Sequence, residues 1–258
     1  MPLISLVLLT LLSCGRLVAE SALPSFATTS VNGEVLHANT LTIAGMTFRD
    51  VTARPVFRAA TATLLFESIE AKAYRGRIRG TYGIELGAEP HRHHCRFDLE
   101  GVDLAVLAPS LGATTDHLAG QVQAWIELDF EAGNLAKTTG RGEITVTKGS
   151  LVDFDFLTAL LAGDPGATRG TDTLSARFQL KDSAAHLLFL NLDSPSVKLR
   201  AAGSIGFDGM LNIRMSPKLS FTVLGALPGI GQIAEGLGKL FSPRALVGHF
   251  THPVWRVF

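Results

Sequence analysis

The chain has 258 residues, and its 23 Lys plus Arg are balanced by 23 Asp plus Glu, so the formal net charge is zero. That balance removes the electrostatic footprint of a nucleic-acid binder and of a protein steered onto anionic lipid by bulk charge. Charged residues are 18% and apolar residues 47% of the chain, against about 25% charged in ordinary soluble domains, which excludes a disordered, solvated polymer and requires much apolar surface to be buried. Two Cys cannot build a disulfide framework, and 26 Gly with 11 Pro point to many turns.

Residues 3–12 are apolar except for Ser5 and Thr10, and Arg16 ends the run short of the ~20 residues that a membrane-spanning helix needs. The length suits the apolar core of a secretory signal, and Leu17-Val18-Ala19 before Glu20 offers small residues for cleavage. Residues 1–19 are therefore expected to be a signal peptide. Leu11-Leu12-Ser13-Cys14 offers the alternative of a lipoprotein signal ending at Cys14, which would be acylated. Both readings predict export. Residues 20–40 read as a linker or a first strand, and residues 41–258 as one β domain. Cys95 is the second cysteine, of a residue type usually buried as a small hydrophobe.

From about residue 40 the dominant period is two. Val122, Ala124, Ile126, Leu128 and Phe130 alternate with Gln121, Gln123, Glu127, Asp129 and Glu131, and only Trp125 breaks the pattern. Side chains alternate faces along a strand, so such a segment carries one apolar and one polar face. Ile144 and Val146 repeat the pattern, as do Leu174, Ala176, Phe178 and Leu180, then Val197, Leu199 and Ala201, then Ile205, Phe207, Leu211, Ile213 and Met215. One-faced alternation over many strands predicts antiparallel sheet, because parallel strands covered on both sides read as continuous apolar runs. Asp208-Gly209 and Asp182-Ser183 are turn signals between such runs.

Helical spacing occurs in three short places. Val102, Ala105, Val106 and Leu111 form one, ended by Pro109 or Gly112, and Phe154, Leu157, Leu160 and Leu161 form a second. The third follows Pro228, with Ile230, Ile233, Ala234, Leu237, Leu240 and Phe241 on one face. Gly231, Gly236 and Gly238 weaken it by about 1 kcal/mol each relative to Ala. Alternation with low charge fits either a closed sandwich core or an open apolar groove.

Four constellations bear on chemistry. His91, His93 and Cys95, with His94 beside them, would share a face as a partial zinc set, but Arg92 and Arg96 are poor neighbours for a cation and no second ligand-rich segment follows. Ser204 in Ala202-Gly203-Ser204-Ile205-Gly206 approaches a nucleophile elbow, yet a turn and another alternating run follow it rather than a helix. Asp153 and Asp155 fit a helix start better than an acid–base pair. Gly229-Ile230-Gly231 lacks the third Gly of a dinucleotide site. No catalytic residue, metal or cofactor is expected. Phe258 ends the chain on an aromatic residue, but Pro253 and off-register Trp255 favour reading residues 246–258 as the edge or final strand of a soluble sheet.

Several motifs in order resemble one family. Tyr74-Arg75-Gly76-Arg77-Ile78-Arg79-Gly80, then Leu99-Glu100-Gly101-Val102-Asp103-Leu104 leading to Gly120, then Gly140-Arg141-Gly142-Glu143-Ile144-Thr145-Val146-Thr147-Lys148-Gly149-Ser150-Leu151 are similar to the C-terminal region of AsmA-like proteins. Leu192-Asp193-Ser194-Pro195, Gly203-Ser204-Ile205-Gly206-Phe207-Asp208-Gly209, Leu227-Pro228-Gly229-Ile230-Gly231 and residues 248–253 continue the likeness, which covers residues 41–258. The resemblance implies a non-enzymatic protein of a Gram-negative-type envelope, periplasmic or peripheral to the inner or outer membrane. It also implies a mainly β fold: a curved, largely antiparallel sheet forming a half-pipe or open groove, with two or three short helices packed at its ends. The expected partners are phospholipid or another acyl-chain lipid, and envelope-assembly proteins. The expected role is outer-membrane assembly or lipid transport. The groove would be lined by Val122, Ala124, Ile126, Leu128, Phe130, Ile144, Val146, Leu174, Phe178, Leu199, Ile205, Phe207, Leu211 and Ile213. The alternative is a structural or interaction protein whose apolar face is a closed core with no ligand.

Overall fold

A computed structural model describes residues 25–32, 34–43, 46–110, 118–131, 133–151, 171–195, 197–219, 243–249 and 254–257. In chain order the strands are β1 (Ser25–Asn32), β2 (Val35–Ile43), β3 (Met46–Arg58), β4 (Thr63–Ala73), β5 (Gly76–Glu85), β6 (Arg92–Asp103), β7 (Ala119–Glu131), β8 (Asn134–Ser150), β9 (Asp172–Lys181), β10 (Ala184–Asp193), β11 (Val197–Gly206), β12 (Met210–Leu219), β13 (Arg244–His249) and β14 (Val254–Val257). A 3-10 turn, Ala59–Thr61, joins β3 to β4, and helix α1 (Leu104–Ser110) follows β6. Among the described residues fourteen strands form one sheet in simple sequence order, every neighbouring pair antiparallel. Among the described residues β1 and β14 are its two edges, so the sheet is open. The fold is mainly β, as the alternation predicts.

The register explains why the alternation was so regular. Ile78, Leu99, Ala124, Ile144, Ala176, Leu190, Ala201 and Met215 stand opposite one another in one file across β5 to β12. A second file on the same face runs Pro55, Phe66, Tyr82, Cys95, Leu128, Gly140, Leu180, Ala185, Ile205, Leu211 and Gly248, from β3 to β13. One face is thus dominated by apolar side chains. Its buried members from β6 to β13 make one contiguous core, and a smaller cluster of Ala38, Val51 and Ala71, with Leu41 and Phe48, lies on β2 to β4. Each large aliphatic side chain buried there contributes about 1.5–3 kcal/mol of transfer free energy.

The other face is a ladder of charge. Glu127 opposes Arg141 and Glu143 opposes Arg177, with N–O distances of 2.9 and 2.7 Å. Trp125 belongs to this face. Its ring centre lies 5.8 Å from the Arg96 guanidinium and 5.9 Å from that of Arg141, so its break in the pattern is one of residue type and not of facing.

The turns follow from backbone sterics. Asp182 and Ser183 both have positive φ, 52° and 56°, between the paired Lys181 and Ala184, which is the two-residue hairpin geometry that suits strand twist. Tyr74 and Arg75 do the same between β4 and β5, with φ of 49° and 63°. At the β11–β12 turn, Gly209 donates to the Gly206 carbonyl at 2.9 Å and Asp208 accepts from the Met210 N–H at 3.0 Å. Residues 246–258, expected as a single final strand, supply parts of two, β13 and β14, paired through Leu246 and Trp255. Register shifts fall at Asp50, Ser68, Gly101 and Lys148, all with positive φ between 51° and 62°, and such bulges bend and twist the strands that carry them.

Of the three expected helices, α1 is described. It starts later than expected: Val102 still belongs to β6, and the Asp103 carboxylate accepts from the Ala105 N–H at 3.0 Å as an N-terminal cap, while Arg75 reaches the other carboxylate oxygen at 3.0 Å. Leu104, Leu107 and Ala108 of α1 are buried on the core. The helical segments at residues 154–161 and 228–241 lie outside the described residues, as do residues 1–19, Cys14, Asp153, Asp155, the glycines 229 and 231, and Phe258. Residues 20–40, read as a linker or a first strand, contain β1 and most of β2.

Candidate functional site

The apolar face is covered unequally. Of the fourteen groove candidates, Val122, Leu128, Val146, Leu174, Phe178, Ile205, Leu211 and Ile213 are buried and pack on one another. Ala124, Ile126, Phe130, Ile144, Leu199 and Phe207 are partly buried against them. Across β8 to β12 the face is therefore filled. Toward β3 it opens: Phe57 is 60% exposed, and Leu64, Phe66, Tyr82, Ile84, His93 and Phe130 are only half-buried.

These open residues form a defined shelf. Phe57, Leu64, Ile84, His93 and Phe130 stand opposite one another in a file across β3 to β7, one step nearer the strand ends than the file of Phe66, Tyr82 and Cys95. Four rings run in series over it. Phe66 and Tyr82 are 6.3 Å apart between centres, Tyr82 and His93 5.8 Å, and His93 and Phe130 4.9 Å with their planes 9° apart. The near-parallel stack of His93 on Phe130 fixes ring orientation and adds to simple burial.

One polar contact lies within the shelf: Tyr82 Oη is 2.7 Å from His93 Nδ1. Burial pushes the Tyr82 phenol up to about 12, with neighbouring Cys95 adding to the rise. Burial, and then the charge of His91, hold the His93 imidazole below its ordinary value of 6.5. Both groups are thus neutral at pH 7. A phenol O–H is the stronger donor and an imidazole nitrogen the stronger acceptor, so Tyr82 donates to Nδ1 and the ring proton resides on Nε2. Among the described residues Nε2 has no hydrogen-bond partner.

The other candidates separate. His91 lies outside the strand, exposed, with Nδ1 2.9 Å from the Ala88 carbonyl oxygen. His94 points to the polar face and pairs with Asp129 at 2.7 Å, and Cys95 is buried in the core. No group of three or more His, Cys, Asp or Glu side chains is placed to hold a metal among the described residues. Ser204 sits within β11 opposite His186 and Asn212, away from any strand-to-helix turn. It lines an open cavity of about 770 Å³ on the polar face, with Asp182, Asp208 and Arg256.

Sequence reasoning missed Phe57, Leu64, Phe66, Tyr82 and Ile84, and considered His93 only within a partial metal set that it set aside. The signal for His93 was present: His93, Cys95, Phe97 and Leu99 alternate with Arg92, His94, Arg96 and Asp98, which puts His93 on the apolar side. No described helix is long and apolar enough to cross a membrane, which leaves strand-based spanning untouched. No protein family, curated protein or solved structure matches the chain.

Proposed function

We propose that this chain is a non-enzymatic cell-envelope protein of AsmA-like type. It holds lipid acyl chains against the apolar face of its sheet and contributes to outer-membrane assembly or lipid transport. It acts after export, in the periplasm or at the periphery of either membrane, with phospholipid or another acyl lipid and envelope-assembly proteins as partners. The observation that carries the reading is the incomplete cover on the shelf from Phe57 to Phe130, an apolar surface continuous with the core. An exposed apolar patch rimmed by polar groups is the surface a hydrocarbon chain would cover.

The test is lipid content. Protein purified without detergent is extracted and its lipids identified by mass spectrometry, and the stripped protein is offered fluorescent phospholipid. Co-purified lipid with saturable uptake supports the reading; no lipid in either experiment removes it. The filled face across β8 to β12 favours a second reading, a structural protein with a closed core, which takes up no lipid.

A further inference from the structure

We infer that His93 is a ligand-reading residue: its Nε2–H donates to the ester carbonyl of an acyl lipid whose hydrocarbon chain lies along Phe57, Leu64 and Ile84. The inference rests on the lipid reading above and adds to it the chemical group that is recognised.

Three observations lead there. First, the imidazole is held. Phe130 stacks on it at 4.9 Å with the planes 9° apart, and the Tyr82 hydroxyl engages Nδ1 at 2.7 Å, with the Tyr82 ring centre 5.8 Å away. A group whose ring plane and tautomer are both set is a directed donor. Second, that donor stands among apolar neighbours on a half-open surface, where an unsatisfied N–H is costly unless water or a ligand meets it. Third, the shelf carries no charge. Pro55, Phe57, Leu64, Phe66, Tyr82, Ile84, Cys95, Leu128 and Phe130 flank His93 in the two files, and none of them is Lys or Arg.

The third point selects the occupant. A phosphate or carboxylate on this shelf would lose hydration with no Lys or Arg among the flanking residues to replace it. An ester carbonyl is neutral, carries a strong acceptor and sits at the head of an acyl chain, so it matches one neutral donor at the end of an apolar track. The charged headgroup would then stay in water, on the side of His93 away from that track.

The experiment compares two soluble probes, dihexanoylphosphatidylcholine below its micelle concentration and the diether analogue that lacks both carbonyls, by calorimetric titration of the full chain. The ester lipid is expected to bind about five- to tenfold more tightly, the worth of one neutral hydrogen bond. His93→Phe keeps the ring stack and removes the donor; it should bind both lipids alike, at the affinity of the wild-type protein for the ether. Tyr82→Phe releases the tautomer and should reduce the preference in part, which provides a second reading should the His93 variant fold poorly. Equal binding of both lipids by the wild-type protein, or a preference unchanged in the variants, overturns the role of His93 and leaves lipid binding standing. Binding of neither lipid by the wild-type protein overturns both.

Discussion

The ring of Phe178 lies against the backbone of Gly142 on the neighbouring strand, so closely that a β-carbon at residue 142 would stand 2.5 Å from the ring edge. Phe97 covers Gly80 in the same way, also at 2.5 Å. The two pairs belong to one file, Gly80, Phe97, Ile126, Gly142, Phe178, Leu187, Gly203 and Ile213, in which every third position is a glycine between large side chains. Gly142→Val should therefore overpack the core and cost about 1–3 kcal/mol. A fall in the urea midpoint with the slope unchanged would check this. Gly83→Ala is the control, since a β-carbon there meets its nearest neighbour at an ordinary 3.5 Å, and it should leave the midpoint nearly unmoved.

Those glycines also mark how far the sequence could be read. The alternation in residues 121–131 and 174–180 was legible because every second residue faces one core, and even Trp125 kept its place once its arginine neighbours were known. The bulges at Asp50, Ser68 and Lys148 were not legible. They put non-glycine residues at positive φ, a cost set by tertiary packing and not by local propensity. Each bulge resets which parity faces the core, so Leu64, Phe66 and Ile69 in β4 do not form one unbroken alternation. That hid the shelf. The turn at Tyr74-Arg75 escaped for the same reason, whereas Asp208-Gly209 has the composition its turn requires.

The charge ladder should contribute little to stability. Arg141 and Arg177 are largely exposed, and a double-mutant cycle on Glu143 and Arg177 is expected to give about 0.2–1 kcal/mol, falling with added salt. For Glu127, the hydrogen bond from Arg141 holds the carboxyl below its ordinary 4.5. Its folded state binds the proton less readily than the unfolded chain, so its contribution is present above pH 4.5 and lost as pH falls through the folded value. Arg141→Gln should flatten that acid limb in a series of urea titrations.

Asp172 makes a different kind of contact. Its carboxylate is buried and accepts from the Leu151 backbone N–H at 2.7 Å, tying the end of β8 to the start of β9 across a long connection. Asp172→Ala leaves that N–H buried without this acceptor and should cost about 1–3 kcal/mol. Asp172→Asn retains a carbonyl oxygen and should recover part of the loss, measured by thermal unfolding of the three proteins side by side.

The pair of Tyr82 and His93 predicts opposite pH limbs. His93 has a folded value below 6.5, so the unfolded chain takes up the proton first and stability falls as pH drops from about 6.5 toward the folded value, then levels. Tyr82 ionises near 10 when unfolded and about 12 when folded, so stability falls as pH rises across that window. Absorbance of tyrosinate should show Tyr82 resisting ionisation until about pH 12 or until the fold is lost. The limb below 6.5 should be absent from His93→Phe, and its persistence there would assign it to another group.

Ile205 and Ile84 occupy the same apolar face at its filled and open ends, and this difference separates core from shelf. Ile205 is 2% exposed, with Ala185 and Leu211 on either side, so Ile205→Asp buries a carboxylate with no counter-charge and should unfold the protein. Ile84 is half-buried between Leu64 and His93, where water can reach a new carboxylate. Ile84→Asp should keep the circular dichroism of the wild-type protein and a cooperative melt, while uptake of fluorescent lipid drops because the charge interrupts the hydrocarbon track. Survival of the fold with full lipid uptake would move the lipid off this shelf. Loss of the fold in both variants would instead make β3 to β7 part of one closed core, the arrangement expected of a protein that takes no ligand.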